Sequence, residues 1–228
     1  MTTGNTASGT FYVFNKKKQS IPIVFIHGVG LTYEIWQPQL NFFKNYSTVS
    51  YDILGHGKSS LTKKNINFDD FSDQLIELIN ELKIDKIHLV GFSIGSLIAR
   101  NFAAKYNDRL QSLILLGSIY KRSEQQQEIV NQRFEQAKKE LKLSRQALNR
   151  WFTDKYLENN PGTYEKISSI LLGNNMVNFL KVYELFVKHK NDEDFEKINT
   201  KTLIMTGEYD TGSTIEMSKQ LNNVIKDS

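Results

Sequence analysis

Residues 87–106 read IHLVGFSIGSLIARNFAAKY. Ile87 to Val90 is a short apolar run, as expected of a strand covered on both faces. An apolar helix follows from Ile94 to Tyr106. Between them, Gly91-Phe92-Ser93-Ile94-Gly95 fits the pattern G-x-S-x-G, which needs a strand, a sharp strained turn at the serine and a helix starting at once. Glycines two before and two after Ser93 remove the side chains that would collide where strand and helix close on each other. The Ser93 hydroxyl then projects above the sheet, with the helix N-terminus beneath it. The plainer alternative is a serine that only caps the helix. A buried strand before and an apolar helix after favour an exposed nucleophile.

Working outward, Thr10–Asn15 and Ile21–Ile26 read as strands separated by a basic turn, Lys16 to Ser20. The second runs directly into His27-Gly28-Val29-Gly30. A helix is expected at about Tyr33 to Lys44, interrupted by Pro38, then a short strand at Ser47–Tyr51. Apolar residues at 68, 71, 75, 78, 79 and 82 predict a helix. Leu110–Leu116 is a further strand. This strand–helix alternation, at the spacing of right-handed crossovers, predicts a mostly parallel sheet with helices on both faces.

Residues 1–9 are small and polar and are expected to be loose. After residue 118 the rhythm breaks, with helical stretches at Glu124–Leu141, Ser144–Phe152, Tyr164–Leu172 and Val177–His189. Strand character resumes at Thr202–Thr206, followed by Gly207-Glu208-Tyr209-Asp210 and a last helix to about Lys226. The expected organisation is an α/β core, residues 1–118 and 199–228, carrying a helical cap, residues 119–198.

Composition narrows the function classes. The chain has 228 residues, 39% hydrophobic and 24% charged, and no cysteine, which removes disulfides, thiolate catalysis and Cys-based zinc sites. No apolar run approaches the length of a membrane span, and the first 20 residues lack the apolar core of a secretory signal, so a cytoplasmic protein is expected. The net charge is +4. Lys far outnumbers Arg and is dispersed, without the clustered Arg and aromatics of a nucleic-acid reader, so no nucleic-acid partner is expected. The four histidines, 27, 56, 88 and 189, show no metal-ligand spacing. Gly57-Lys58-Ser59 resembles the end of a phosphate-binding loop, but Asp52 stands where that loop needs glycine and no helix pattern follows.

An acyl-transfer serine needs two donors for the oxyanion, usually backbone N–H groups. The amide of Ile94 is one candidate and that of Val29 the other, with flanking glycines letting the loop approach a substrate. His27 reads as a loop-holding residue rather than a base. Asp210, on the turn after strand 202–206, falls where the third member of a Ser…Asp…His series belongs.

On the residues His27–Gly30, Asp52–Ser59 (DILGHGKS), Gly91–Gly95 and Gly207–Asp210, the chain resembles the α/β-hydrolase family. HGVGLTYEIW (27–36), Arg150-Trp151-Phe152 and GEYDTGSTIEM (207–217) look like its branch of 3-oxoadipate enol-lactonases and small-ester carboxylesterases. The resemblance implies a serine hydrolase with Ser93 as nucleophile, Asp210 as the acid, no cofactor, a small-molecule ester or lactone substrate, and a lid whose Trp151 and Phe152 line the pocket. The chain departs from the family pattern in one respect. The catalytic histidine should follow one further strand, yet no histidine follows Asp210, and the last strand and helix are also expected to be absent. Two expectations remain: a piece of a longer hydrolase, which the retained Ser93, Asp210 and oxyanion loop favour, or a non-catalytic relative that binds a small ligand.

Overall fold

The computed structural model describes residues 1–18, 20–139, 151–191 and 194–228. Its strands are β1 (Thr2–Asn5), β2 (Phe11–Asn15), β3 (Ile23–Ile26), β4 (Thr48–Tyr51), β5 (Ile87–Phe92), β6 (Leu110–Leu116) and β7 (Thr202–Met205). They form one seven-stranded sheet in the order β1-β2-β4-β3-β5-β6-β7. From β4 to β7 every pair is parallel, whereas β1 and β2 are antiparallel to their neighbours. The connection from β2 to β3 is too short for a parallel crossover, and β2 runs antiparallel to β4, with β1 outside it. The mostly parallel sheet with helices on both faces expected from the sequence is therefore present.

Two expectations need correction. Residues 1–9 are not loose throughout, because Thr2–Asn5 is the edge strand β1. Three of its four residues are exposed, and an edge strand held by backbone pairing and solvated on its sides carries no hydrophobic alternation to read. Pro38 does not interrupt a helix. Tyr33–Trp36 is a single 3-10 turn, and α1 (Gln37–Phe42) starts there with Pro38 in its first turn, where a missing N–H is an unpaired donor removed.

The helix α2 (Phe68–Glu81) begins at a reciprocal cap between Asn67 and Asp70, and α3 (Ile94–Lys105) leaves β5 through Ser93. Between β6 and β7 the described residues hold no strand, only α4 (Glu124–Lys139), α5 (Asp154–Asn159), α6 (Thr163–Leu172), α7 (Met176–Val187) and a 3-10 turn at Phe195–Lys197. The short α5 carries little periodicity and was not legible, although Thr153 caps it. The helix expected at Ser144–Phe152 falls mostly outside the described residues, Arg150 included, and Trp151 and Phe152 lie in a turn. α8 (Ile215–Val224) closes the chain.

Alternation along the strands divides the core. Val24, Ile26, Leu89, Leu113 and Leu115 belong to the larger cluster, with Phe71, Leu75, Leu97, Phe102 and Leu221 from α2, α3 and α8. Phe25 and Val90 point the other way, to Trp36 and Leu40. That second face is bare toward β7, where Leu203 and Met205 are about half exposed. Among the described residues, no helix is long and apolar enough to cross a membrane.

Candidate active site

Ser93 has φ 56° and ψ −121°, a conformation that strains any residue other than glycine, and its side chain makes no helix-capping hydrogen bond. The plainer reading of a capping serine thus has no support in the geometry. Its neighbours explain the glycine spacing. A Cβ on Gly91 would collide with the Gly95 carbonyl, and one on Gly95 would lie 2.5 Å from the Ile26 carbonyl and 2.7 Å from that of His27. The turn closes only because both positions lack side chains.

The loop after β3 comes against this turn. A Cβ on Gly28 would stand 3.3 Å from the Ser93 Cβ. Val29 follows, and Gly30 adopts φ 76°. The loop is held at several points. The Gly28 carbonyl accepts from the Leu31 N–H at 3.2 Å and from the His27 Nδ1 at 2.8 Å. The Gly30 N–H donates to the His56 Nε2 at 2.8 Å, and the Ile53 N–H donates to the His27 Nε2 at 3.1 Å. Both imidazoles therefore accept at Nε2, which makes them neutral. Burial pushes the His27 pKa down to about 3, with the nearby His56 adding to the effect, and burial pushes His56 down to about 4. Asp52 lies beside them, its Oδ1 accepting from the Tyr33 N–H and its Oδ2 from the Lys58 N–H. Burial raises its pKa against the pull of those two amides and of the Lys58 charge. His27 is a loop-holding residue, as its place in the sequence suggested. The same role for His56 and Asp52 was not assigned from the sequence, though both lie within the stretch 52–59 that carried the family resemblance.

Ile94 opens α3, so its N–H has no partner within the helix. Asp210 lies on the turn after β7, beside Gly117 at the end of β6. Its Oδ1 accepts from the Gly212 and Ser213 amides at 2.8 and 3.0 Å, and its Oδ2 from the Ser213 hydroxyl at 2.6 Å. A Cβ on Gly117 would find the Phe92 ring at 3.5 Å and the Asp210 Oδ2 at 3.7 Å, which ties the acid to the residue before Ser93. An open depression of about 470 Å³ beside it is lined by residues 208–211 and 214–216, none of them from the loop of Val29.

Phe152 packs into a cluster with Leu31, Phe92, Ile167 and Ile170, and stacks on Tyr156 at 5.0 Å. Trp151 is 47% exposed and belongs to no such cluster among the described residues. The remaining histidines are engaged elsewhere. His88 Nδ1 meets the Ser112 hydroxyl at 2.7 Å, and His189 Nε2 faces the Arg100 guanidinium at 3.3 Å. Arg100 lies seven residues beyond Ser93 on α3, roughly 10 Å along the helix. Among the described residues no group of three or more His, Cys, Asp or Glu could hold a metal ion.

The family described as alpha/beta hydrolase fold matches residues 21–228. The chain is 32% identical over 208 residues to the (E)-2-((N-methylformamido)methylene)succinate hydrolase of Acinetobacter baylyi, covering 90% of this chain and 78% of that protein. It is 24% identical to 3-oxoadipate enol-lactonase 2 of the same organism, over 85% of this chain and 73% of the relative. The solved enol-lactonase of Burkholderia xenovorans superposes with a TM-score of 0.86 at 21% identity, over 99% of this chain and 88% of that one.

Proposed function

The chain belongs to the alpha/beta hydrolase family, and from that premise we propose that it cleaves a small carboxylic ester or lactone through an acyl intermediate on Ser93. The observation that carries this reading is Ser93 itself, strained at φ 56°, free of any capping bond and close against Gly28. Its Oγ attacks the substrate carbonyl carbon and its proton passes to a base. In this reading the tetrahedral oxyanion is held by the N–H groups of Val29 and Ile94, backbone donors of the kind that stabilise developing negative charge. Collapse breaks the bond to the alcohol oxygen, which takes up the proton, and water then releases the acid from Ser93. Asp210 serves as the acid that orients a histidine and stabilises its imidazolium. That histidine is none of the four in this sequence, since His27 and His56 hold loops and His88 and His189 face Ser112 and Arg100. The segment 119–198 is read as a lid over Ser93, with Trp151 and Phe152 lining the pocket. No step draws on a metal or cofactor.

The engagement of all four histidines also favours a second reading, a hydrolase-like protein that binds a small ester or lactone without turnover. One experiment separates the two. The protein is mixed with p-nitrophenyl acetate with and without added imidazole, which supplies a base, and Ser93→Ala corrects for imidazole's own reaction. The hydrolase reading expects slow turnover without imidazole, an imidazole-dependent burst of p-nitrophenol, and one acetyl group on Ser93 by mass spectrometry. Saturable ester binding with no acetyl group on Ser93 at any imidazole concentration would select the binding reading.

A further inference from the structure

Asn174 lies in the turn between α6 and α7 and is buried, yet its side chain meets three separate segments. Its Nδ2 donates to the Gly30 carbonyl at 2.8 Å and to the Ile170 carbonyl at 3.0 Å, and its Oδ1 accepts from the Gly57 N–H at 3.3 Å. The amide cannot be turned round. Carbonyls only accept and a backbone N–H only donates, so Nδ2 must face Gly30 and Oδ1 must face Gly57. Gly30 is thereby held at both ends, its N–H by His56 and its carbonyl by Asn174. The approach is close as well as polar, since a Cβ on Gly30 would lie 2.5 Å from Leu171 and 3.1 Å from the Phe179 ring.

We propose that Asn174 is a positioning residue for the oxyanion site: it holds the Gly30 carbonyl and the Gly57 amide together, so that the Val29 N–H is aimed only while the helical segment is seated. The inference rests on the reading of Val29 as an oxyanion donor. Such a donor acts by being held in place before charge develops, at about 2.7–3.1 Å from where the oxyanion will sit. Val29 sits between two glycines, the residues least able to hold a peptide plane by their own sterics. Its loop therefore depends on outside anchors. The bonds from His27 and His56 come from the sheet-bearing core, together with the loop's own bond from Leu31. The bond from Asn174 comes from the helical segment, and through it the seating of that segment reaches the loop.

Two variants of the full chain test this. Asn174→Asp keeps the acceptor facing Gly57 but sets a carboxylate oxygen against the Gly30 carbonyl, and Asn174→Leu removes both bonds at similar volume. Amide hydrogen exchange followed by NMR should speed up at least tenfold at Gly30 and Leu31 in both variants, with Leu89 and Leu97 in the core unchanged. Unchanged exchange at Gly30 and Leu31, or equal acceleration at Leu89 and Leu97, would overturn the proposal. In imidazole, the rate constant for Ser93 acetylation should fall about tenfold while the ester KM stays within twofold. A residue that only packed the segment would lower the melting temperature without that split. If Ser93→Ala leaves the parent's imidazole-assisted turnover intact, the acyl-transfer reading fails and the oxyanion purpose with it. The exchange result still decides whether Asn174 holds the loop.

Discussion

On one side of Ser93, the 27–31 loop is held by partners far away in the chain: His56 and Ile53, 26 residues from the loop positions they bond, and Asn174, 144 residues from Gly30. On the other side, Asp210 is held by Gly212 and Ser213, two and three residues on. The first arrangement exists only when the sheet, the 52–57 loop and the helical segment are all assembled. The second is a self-contained turn next to the bare end of the sheet, where Tyr209 is 77% exposed and Met205 half exposed. Local opening draws on regions with few buried contacts, so the acid side should open well before the oxyanion side.

The largest expected effect comes from disturbing the closure that the oxyanion side depends on. In Gly95→Ala the new methyl would sit 2.5 Å from the Ile26 carbonyl, a backbone atom of β3 that cannot yield without moving the strand. Overpacking against backbone should cost about 3 kcal/mol or more, a large part of the roughly 5–15 kcal/mol that holds a domain. By thermal melting that is a fall of about 6–12 °C. A Gly95→Ala protein melting within 2 °C of the parent would show that the turn is looser than its contacts require.

A smaller and pH-dependent effect belongs to the same side. His27 and His56 have native pKa values pushed down to about 3 and about 4, so the unfolded chain, with histidines near 6.5, binds protons more readily. Their contribution to stability is fully present above pH 6.5 and is lost as pH falls toward about 4 and then about 3. Each proton taken up on unfolding gives a slope of about 1.4 kcal/mol per pH unit. Asp52 works in the opposite sense, its raised pKa making stability fall as pH rises through its titration. Denaturant unfolding between pH 6 and pH 4.5 should show uptake of about two protons from His27 and His56, with a further contribution from His88, whose pKa burial also lowers, and His56→Gln should remove about one of them. An unchanged slope in that variant would mean that His56 is protonated, and so does not accept from Gly30, in the native protein.

The contrast also explains what could be read in advance. The glycine spacing around Ser93 was legible because the collision it avoids involves residues four apart and the adjoining strand, a constraint every such turn shares. Strands β2 to β7 and helices α2, α3, α6 and α7 were legible from burial periodicity, with ends shifted by a residue or two. Asp210 was legible as a place on a turn, but its bonding was not. Asn174 left no trace, since nothing in Gly173-Asn174-Asn175 says that one of those amides meets a loop 144 residues earlier. β1 was missed for a related reason: its stability is backbone pairing to β2, which polar side chains do not announce.

The smallest expected effect lies on the acid side and sharpens the comparison by its size. Gly207 ends the approach to the Asp210 turn, and a Cβ there would meet only the Asp210 Cβ, at 3.9 Å, an ordinary contact. The Asp210 N–H donates to the Gly207 carbonyl at 3.1 Å, a bond that alanine retains. Since the position needs neither space nor a left-handed backbone, Gly207→Ala acts mainly by reducing the freedom of the unfolded chain, worth about 0.4–1 kcal/mol in favour of folding. The expected outcome is a melting temperature equal to the parent's or up to about 3 °C higher. The same glycine-to-alanine change should therefore have opposite signs at Gly95 and at Gly207. A loss at Gly207 comparable to that at Gly95 would mean that the Asp210 turn is as tightly assembled as the oxyanion loop, and the distinction between the two sides of Ser93 would not hold.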